Sequence, residues 1–340
     1  MDENRDVWVF IEQDEGQIAG VSLELLAKAG ELAAKLGGHV CGVLCGHAVG
    51  DLAQAAIHHG ADVVLWADHP ELEHYRTLPY ARVVIELARA RQPYIMLFGA
   101  TPVGRDLAPR VASALRAGLT ADCTDLQIGD YTARKDNRVY RDLLFQIRPA
   151  FGGNLIATIV NPAMHPQLAT VREGVMRRGE PDTTRAGTVE RIEPAFDERD
   201  LVLTVLGREM RESKVDLKHA QIVVAGGAGM GSEENFELLR ELAHLLGGEV
   251  GASRAAVDAG FVSQEHQVGQ TGVTVRPRLY IAAGISGAVQ HRVGMDESAK
   301  IIAINSDPNA PIFQIAHYKI IGDAAEVIPL LIRALRDKTK

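Results

Sequence analysis

Gly284-Ile285-Ser286-Gly287-Ala288-Val289-Gln290-His291 is the stretch of this chain whose residue types and spacing best suit chemistry. Glycines let the backbone approach a ligand closely, and a helix opening behind them turns unpaired N–H groups and a positive dipole end toward a phosphate. Short apolar runs flank the stretch, Leu279–Ala283 before it and Ile301–Ile304 after it. Both are continuous, brief and bounded by turn residues, as strands buried in a parallel sheet are. Asn305 and Asp307 follow the second run, at the carboxyl edge where open α/β sheets hold nucleotides and where an acidic side chain suits a ribose hydroxyl. The pattern is a nucleotide cradle with His291 at its rim.

Such a cradle needs a sheet behind it. Upstream, Gln221–Ala225 reads as a strand, Gly226-Gly227-Ala228-Gly229-Met230-Gly231 as a phosphate-type loop, and Ser232–Leu246 as a helix with Ser232 and Glu233 at its start. Ile320–Ile321 and Asp323–Leu335 supply a last strand and helix. The layout is doubly wound, although its glycine spacing departs from G-x-G-x-x-G. The first half alternates likewise. Val7–Ile11, His39–Leu44, Asp62–Trp66 and Tyr94–Phe98 are strand-like, and Ser22–Leu36 (with Ser22 as cap), Asp51–His58, Tyr80–Arg91 and Gly104–Ala117 are helical in period. Past residue 120 the strands lengthen, at Val139–Ile147 and Asn154–Val160. The expectation is two α/β domains, the C-terminal one a doubly wound parallel sheet. Their bounds are read as 1–205 and 216–340, joined by a linker over 206–215, with the charged, turn-rich Glu180–Asp200 run serving as part of a hinge.

Composition narrows the function. A chain of 340 residues exceeds one ordinary core, and 46% hydrophobic with 24% charged residues is normal for a globular protein. No apolar run reaches the roughly 18–20 residues of a membrane span. A net charge of −8 argues against nucleic acid as the main partner. The acidic start leads directly into Val7–Ile11, so no leader is expected and a cytoplasmic place is. Cys41 and Cys45 lie in one strand, about 13 Å apart at ~3.3 Å per residue, too far for a disulfide or a shared metal ion. With Cys123 they read as structural thiols. Five histidines between His47 and His74 read as solvated loop residues, and Arg172, Arg177, Arg178, Arg185 and Arg191, interleaved with acids, as a solvated or subunit-facing surface. No nucleophile, paired-carboxylate or metal-ligand set emerges.

Two further stretches accompany the cradle, Gly251-Ala252-Ser253-Arg254-Ala255-Ala256-Val257-Asp258-Ala259-Gly260 and Val268-Gly269-Gln270-Thr271-Gly272. Together the three loops resemble, in order and approximate spacing, the flavin-contacting loops of the electron transfer flavoprotein alpha subunit. The likeness is tightest from Gln221 onward. It is looser but collinear before that, for instance at Gly104-Arg105-Asp106-Leu107-Ala108-Pro109-Arg110-Val111-Ala112 and Arg148-Pro149-Ala150-Phe151-Gly152-Gly153-Asn154.

The resemblance implies FAD as cofactor. By position, Ser286, Gly287, Ala288, Val289, Gln290 and His291 would hold the pyrophosphate and ring, and Val268, Gly269, Gln270 and Thr271 the ring and ribityl side. Asn305, Asp323 and Ala324 would hold the adenosine end, with Ser253, Arg254 and Gln267 completing the contacts. It further implies Thr271 beside flavin N5, Arg254 near the ring and His291 near O2. A positive group beside the ring favours its anionic forms, and one charge at ~4 Å would move a one-electron couple by something on the order of 100 mV. The residues alone leave other uses open: Arg254 and Asp258 are spaced for an ion pair on one helix face, His291 for a satisfied histidine in a first turn, and Thr271 for shaping a turn between Gly269 and Gly272. One departure is Ala228, where many relatives carry an arginine that contacts the cofactor.

The implied function is FAD-mediated electron transfer by an alpha subunit in a heterodimer with a beta subunit, with an acyl-CoA dehydrogenase-type oxidoreductase as partner. An alternative is a subunit of an NADH-oxidising, electron-bifurcating complex, since Val7-Trp8-Val9-Phe10-Ile11-Glu12-Gln13, Val21–Leu26 and Ala169-Thr170-Val171-Arg172 resemble the anaerobic bacterial branch. An alternative of another class is a non-redox nucleotide-binding regulatory module on the same sheet.

Overall fold

The computed structural model describes residues 4–14, 16–135, 137–150, 155–209, 215–218 and 220–338. It separates into two compact units, the first running to Arg208 and the second beginning at Glu209. Val7–Ile11, five apolar residues with no polar face, has no side that tolerates water. It accordingly lies in the middle of a seven-stranded parallel sheet in the first unit. The strand order is Thr188–Ile192, Val63–Asp68, Val40–Gly46, Val7–Ile11, Ile95–Gly99, Gln167–Val171, Leu119–Cys123. Alternate residues of these strands feed two cores. Val7, Val9 and Ile11 pack with Leu25, Leu26, Ala29 and Leu32 of the Gly20–Leu36 helix. Trp8 and Phe10 pack with Val83, Val84 and Leu87 of the Thr77–Arg91 helix and with Leu107 and Val111 of the Pro102–Leu115 helix.

Asp125–Thr132, Val139–Ala150 and Leu155–Ile159 form a separate antiparallel sheet, which is the lengthening of strands visible past residue 120. Residues 151–154, the end of the second collinear stretch, lie outside the described residues. Cys41, Cys45 and Cys123 are free and buried, and burial pushes each thiol up to about 12.

Three expectations are corrected here. Ser22 does not cap its helix, which starts at Gly20. Its fully buried hydroxyl instead accepts the Glu12 N–H at 2.9 Å, tying the helix to the end of the central strand. Glu180–Asp200 is not linker throughout, because Thr188–Ile192 joins the sheet edge beside Val63–Asp68. The arginines of that region are not all a solvated surface either. Arg172 is buried, donating from Nε to Asp122 Oδ1 at 3.1 Å and from Nη2 to Oδ2 at 2.6 Å. Arg185 donates to Asp62 at 2.5 Å. Arg191 donates to Asp68 at 2.9 Å and lies over the Trp66 ring. Arg177 and Arg178 are exposed. The counter-charges stand at the ends of strands distant in sequence, so local charge pattern conceals them.

Leu206, Gly207 and Arg208 stay with the first unit, where Arg208 donates to Asp14 at 2.6 Å and Arg76 to the Leu203 carbonyl at 2.7 Å. Residues 210–214 of the expected linker lie outside the described residues.

The second unit is a five-stranded parallel sheet ordered Glu249–Ala252, Ile222–Gly226, Leu279–Ala283, Ile301–Asn305, Tyr318–Ile321. Numbered along the chain, that order is 2-1-3-4-5, and its switch point falls between Ile222–Gly226 and Leu279–Ala283. One face is covered by the helices Glu233–Leu246 and Ala324–Lys338 through Phe236, Leu239, Leu242, Ile328 and Ile332. Ser232 caps the first of these, accepting the Asn235 N–H at 3.3 Å. The other face is covered mostly by turns, with Val268, Val275, Ile285, Met295, Ile312 and Phe313 packed on Val223, Ala225, Tyr280 and Ala282. Among the described residues, no helix is long and apolar enough to cross a membrane, and no cluster of His, Cys, Asp or Glu could hold a metal ion.

Candidate functional site

The site lies at the carboxyl ends of the second unit's strands. Gly226 and Ala283 end the two strands at the switch point, and the loops that follow them lie backbone against backbone. Gly227 N donates to Ala283 O at 2.9 Å and Gly229 N to Gly284 O at 3.0 Å. A Cβ on Gly227 would fall 2.1 Å from Gly284 O, so in the loop read as phosphate-binding this glycine is required by the close approach of the neighbouring loop.

From there a sequence of bonds draws the candidate residues together. Ser253 N donates to Gly226 O at 2.9 Å, and the Ser253 hydroxyl caps the short Arg254–Asp258 helix. Val268 N donates to Ala252 O at 2.9 Å, and Gln270 N to Gln290 O at 2.7 Å. Asn305 Nδ2 donates to Ile285 O at 2.9 Å, while Gly322 N donates to Asn305 O at 3.0 Å, setting Asp323 beside the same edge. Three loops read separately along the chain thus converge on one rim.

Within that rim, Ser286, Ala288, Gln290, Gln270, Thr271 and Arg254 are exposed, whereas Gln267, Val268, Gly269, Gly287 and His291 are buried. Gly287 sits at φ +87, and a Cβ on it would fall 2.2 Å from Ile312 N, so the bend requires glycine. Through this bend the backbone N–H groups of Ser286, Gly287, Ala288, Val289 and Gln290 donate to no acceptor among the described residues. Five successive free donors with no acidic side chain among them suit a pyrophosphate.

Electrostatics distinguishes the candidate side chains. Arg254 is 69% exposed and its Nε stands 3.3 Å from Asp258 Oδ2, the ion pair that its i, i+4 spacing allows. Gln267 Nε2 donates to Thr271 Oγ1 at 2.9 Å, leaving the threonine proton for another acceptor. His291 is buried with Nδ1 3.0 Å from Val268 O and Nε2 3.0 Å from Tyr280 Oη. Burial pushes its pKa down to about 4, with the Val268 hydrogen bond opposing. The imidazole is therefore neutral and engaged at both nitrogens, as the satisfied histidine that its first-turn position allowed. Asn305 is engaged at both ends of its amide, with Ile285 O and Asp307 N. Ala324 turns its methyl into the core, and Asp323 accepts the Ala325 N–H at 2.8 Å as the last helix begins.

Tyr280 was not singled out from the sequence. The available signal was a phenol in an otherwise aliphatic buried run, since a buried Tyr hydroxyl needs a partner.

Residues 7–197 match the family model described as the electron transfer flavoprotein domain, and residues 216–296 the one described as the electron transfer flavoprotein FAD-binding domain. The chain is 48% identical over 337 residues to an electron transfer flavoprotein subunit alpha of Thermoanaerobacterium thermosaccharolyticum, covering 99% of each chain. It is 44% identical over 333 residues to Protein FixB of Rhizobium meliloti, covering 96% of this chain and 92% of that one. It is 40% identical over 352 residues to the acryloyl-CoA reductase electron transfer subunit beta of Anaerotignum propionicum, covering 98% and 96%.

Proposed function

Because the chain belongs to the electron transfer flavoprotein family as an FAD-binding alpha subunit, we propose that the three converging loops of its second unit are where FAD is held. Bound FAD supplies the one- and two-electron redox chemistry; the protein binds and orients it and sets its surroundings. In this reading the free N–H groups from Ser286 to Gln290 receive the pyrophosphate. Thr271, with its oxygen already accepting from Gln267, presents a proton to the ring, and Arg254 lends a solvent-screened positive charge. Asn305 acts through the loop it braces, and Asp323 and the Ala324 backbone stand at the adenosine end. Electron transfer through FAD displaces the non-redox alternative.

The observation that carries the proposal is the row of unengaged donors at the switch point of a 2-1-3-4-5 sheet. Alpha subunits of this family pair with a beta subunit. We further take the electron partner to be an acyl-CoA dehydrogenase-type oxidoreductase, a reading supported by the relative named for acryloyl-CoA reductase. We also take the protein's place to be the cytoplasm. Flavin quantification of the purified heterodimer, native against Gly287→Ala, tests the site. The native protein should carry FAD and the variant little. Full FAD retention by Gly287→Ala would exclude these loops.

A further inference from the structure

Tyr280 stands in a strand whose other side chains are aliphatic, and none of its surface is exposed. Burying a hydroxyl is unfavourable unless it finds a partner, and here the partner is His291 Nε2 at 3.0 Å. The other ring nitrogen lies 3.0 Å from the Val268 carbonyl. A carbonyl only accepts, so Nδ1 carries the proton, and the unprotonated Nε2 accepts from the Tyr280 hydroxyl. Val268 in turn opens the turn that presents Gln270 and Thr271, and its own N–H is held by Ala252 O at 2.9 Å. One side chain on the central strand therefore reaches, through an imidazole, the backbone of the turn at the site's rim.

We propose that Tyr280 is a positioning residue for FAD: its hydroxyl orients His291, and His291 holds the Val268 carbonyl and with it the Val268–Thr271 turn in the geometry that meets the flavin ring. The inference rests on the reading that this turn faces FAD. A phenylalanine at 280 fills the same volume but leaves Nε2 buried without a donor, which favours rotation of the imidazole away from Val268.

The test uses the FAD-loaded heterodimer. Nitrogen NMR of the His291 ring should show one tautomer, protonated at Nδ1, in the native protein and a mixture in Tyr280→Phe. The variant should release FAD about tenfold faster, the effect of one lost buried hydrogen bond, and its flavin absorption band should shift. In a His291→Gln background, adding Tyr280→Phe should change FAD release no further, because both act through one path. A native tautomer and native release in Tyr280→Phe, or effects that simply add, would overturn the inference while leaving the FAD site standing. Undiminished FAD affinity in Gly287→Ala would instead remove the reading beneath it.

Discussion

At the residue scale, the positive charge among the candidate residues sits on one exposed arginine and not on the histidine. Arg254 is solvated and shares its charge with Asp258, so if it stands beside FAD as proposed its effect is that of a screened charge, about 1 kcal/mol at contact distance. That converts to about 40 mV on a one-electron couple, below the order of 100 mV that an unscreened charge implies. Arg254→Ala should lower the flavin potential by that smaller amount in spectroelectrochemical titration, and more at low ionic strength. His291 carries a different consequence. Its folded pKa of about 4 lies below the ordinary 6.5, so the unfolded chain takes the proton first as pH falls. The stability it contributes is fully present above pH 6.5 and is lost between 6.5 and about 4. The loss amounts to about 3 kcal/mol across that window. Thermal melts of native and His291→Gln protein should converge as pH falls through it.

At the scale of elements, the rim depends on backbone packing that admits no side chains. Gly227 and Gly287 each face backbone atoms at 2.1–2.2 Å from where a Cβ would stand. Gly227→Ala must therefore part the loops that follow Gly226 and Ala283, breaking the 2.9 Å bond from Gly227 N to Ala283 O. The expected result is loss of most bound FAD with the first unit intact, read as flavin content against near-ultraviolet circular dichroism. In the first unit, a substitution that removes Asp122 leaves the buried Arg172 guanidinium unpaired. Asp122→Asn should destabilise that unit by about 3–5 kcal/mol in denaturant titration without changing the flavin spectrum.

At the scale of the whole molecule, each unit has its own cores, a pair on either side of its own sheet. FAD bound to the second unit should then stabilise only that unit. In calorimetry, stripping the flavin from the heterodimer should lower one transition and leave the alpha chain's other transition in place. Movement of both by the same amount would mean the two units unfold as one.

Much of this was legible along the chain. The continuous apolar runs became buried parallel strands with ends within two or three residues of those expected, because a strand covered on both faces has no polar position to confuse its reading. The bend and helix opening over Gly284–His291 were legible because glycine marks backbone positions that a side chain rarely takes. Ser22 was misread because a serine ahead of a helical period looks like a cap, and only the end of the central strand shows which donor it serves. Arg172, Arg185 and Arg191 looked solvated because their aspartates lie 50 to 123 positions away along the chain. The charge of His291 was also a tertiary matter. Whether an imidazole is protonated depends on what surrounds it, and Tyr280 and Val268 come to its two nitrogens from 11 and 23 positions away. Sequence sets the periods, turns and candidate donors; which groups are buried, and against whom, is decided only when distant strand ends meet.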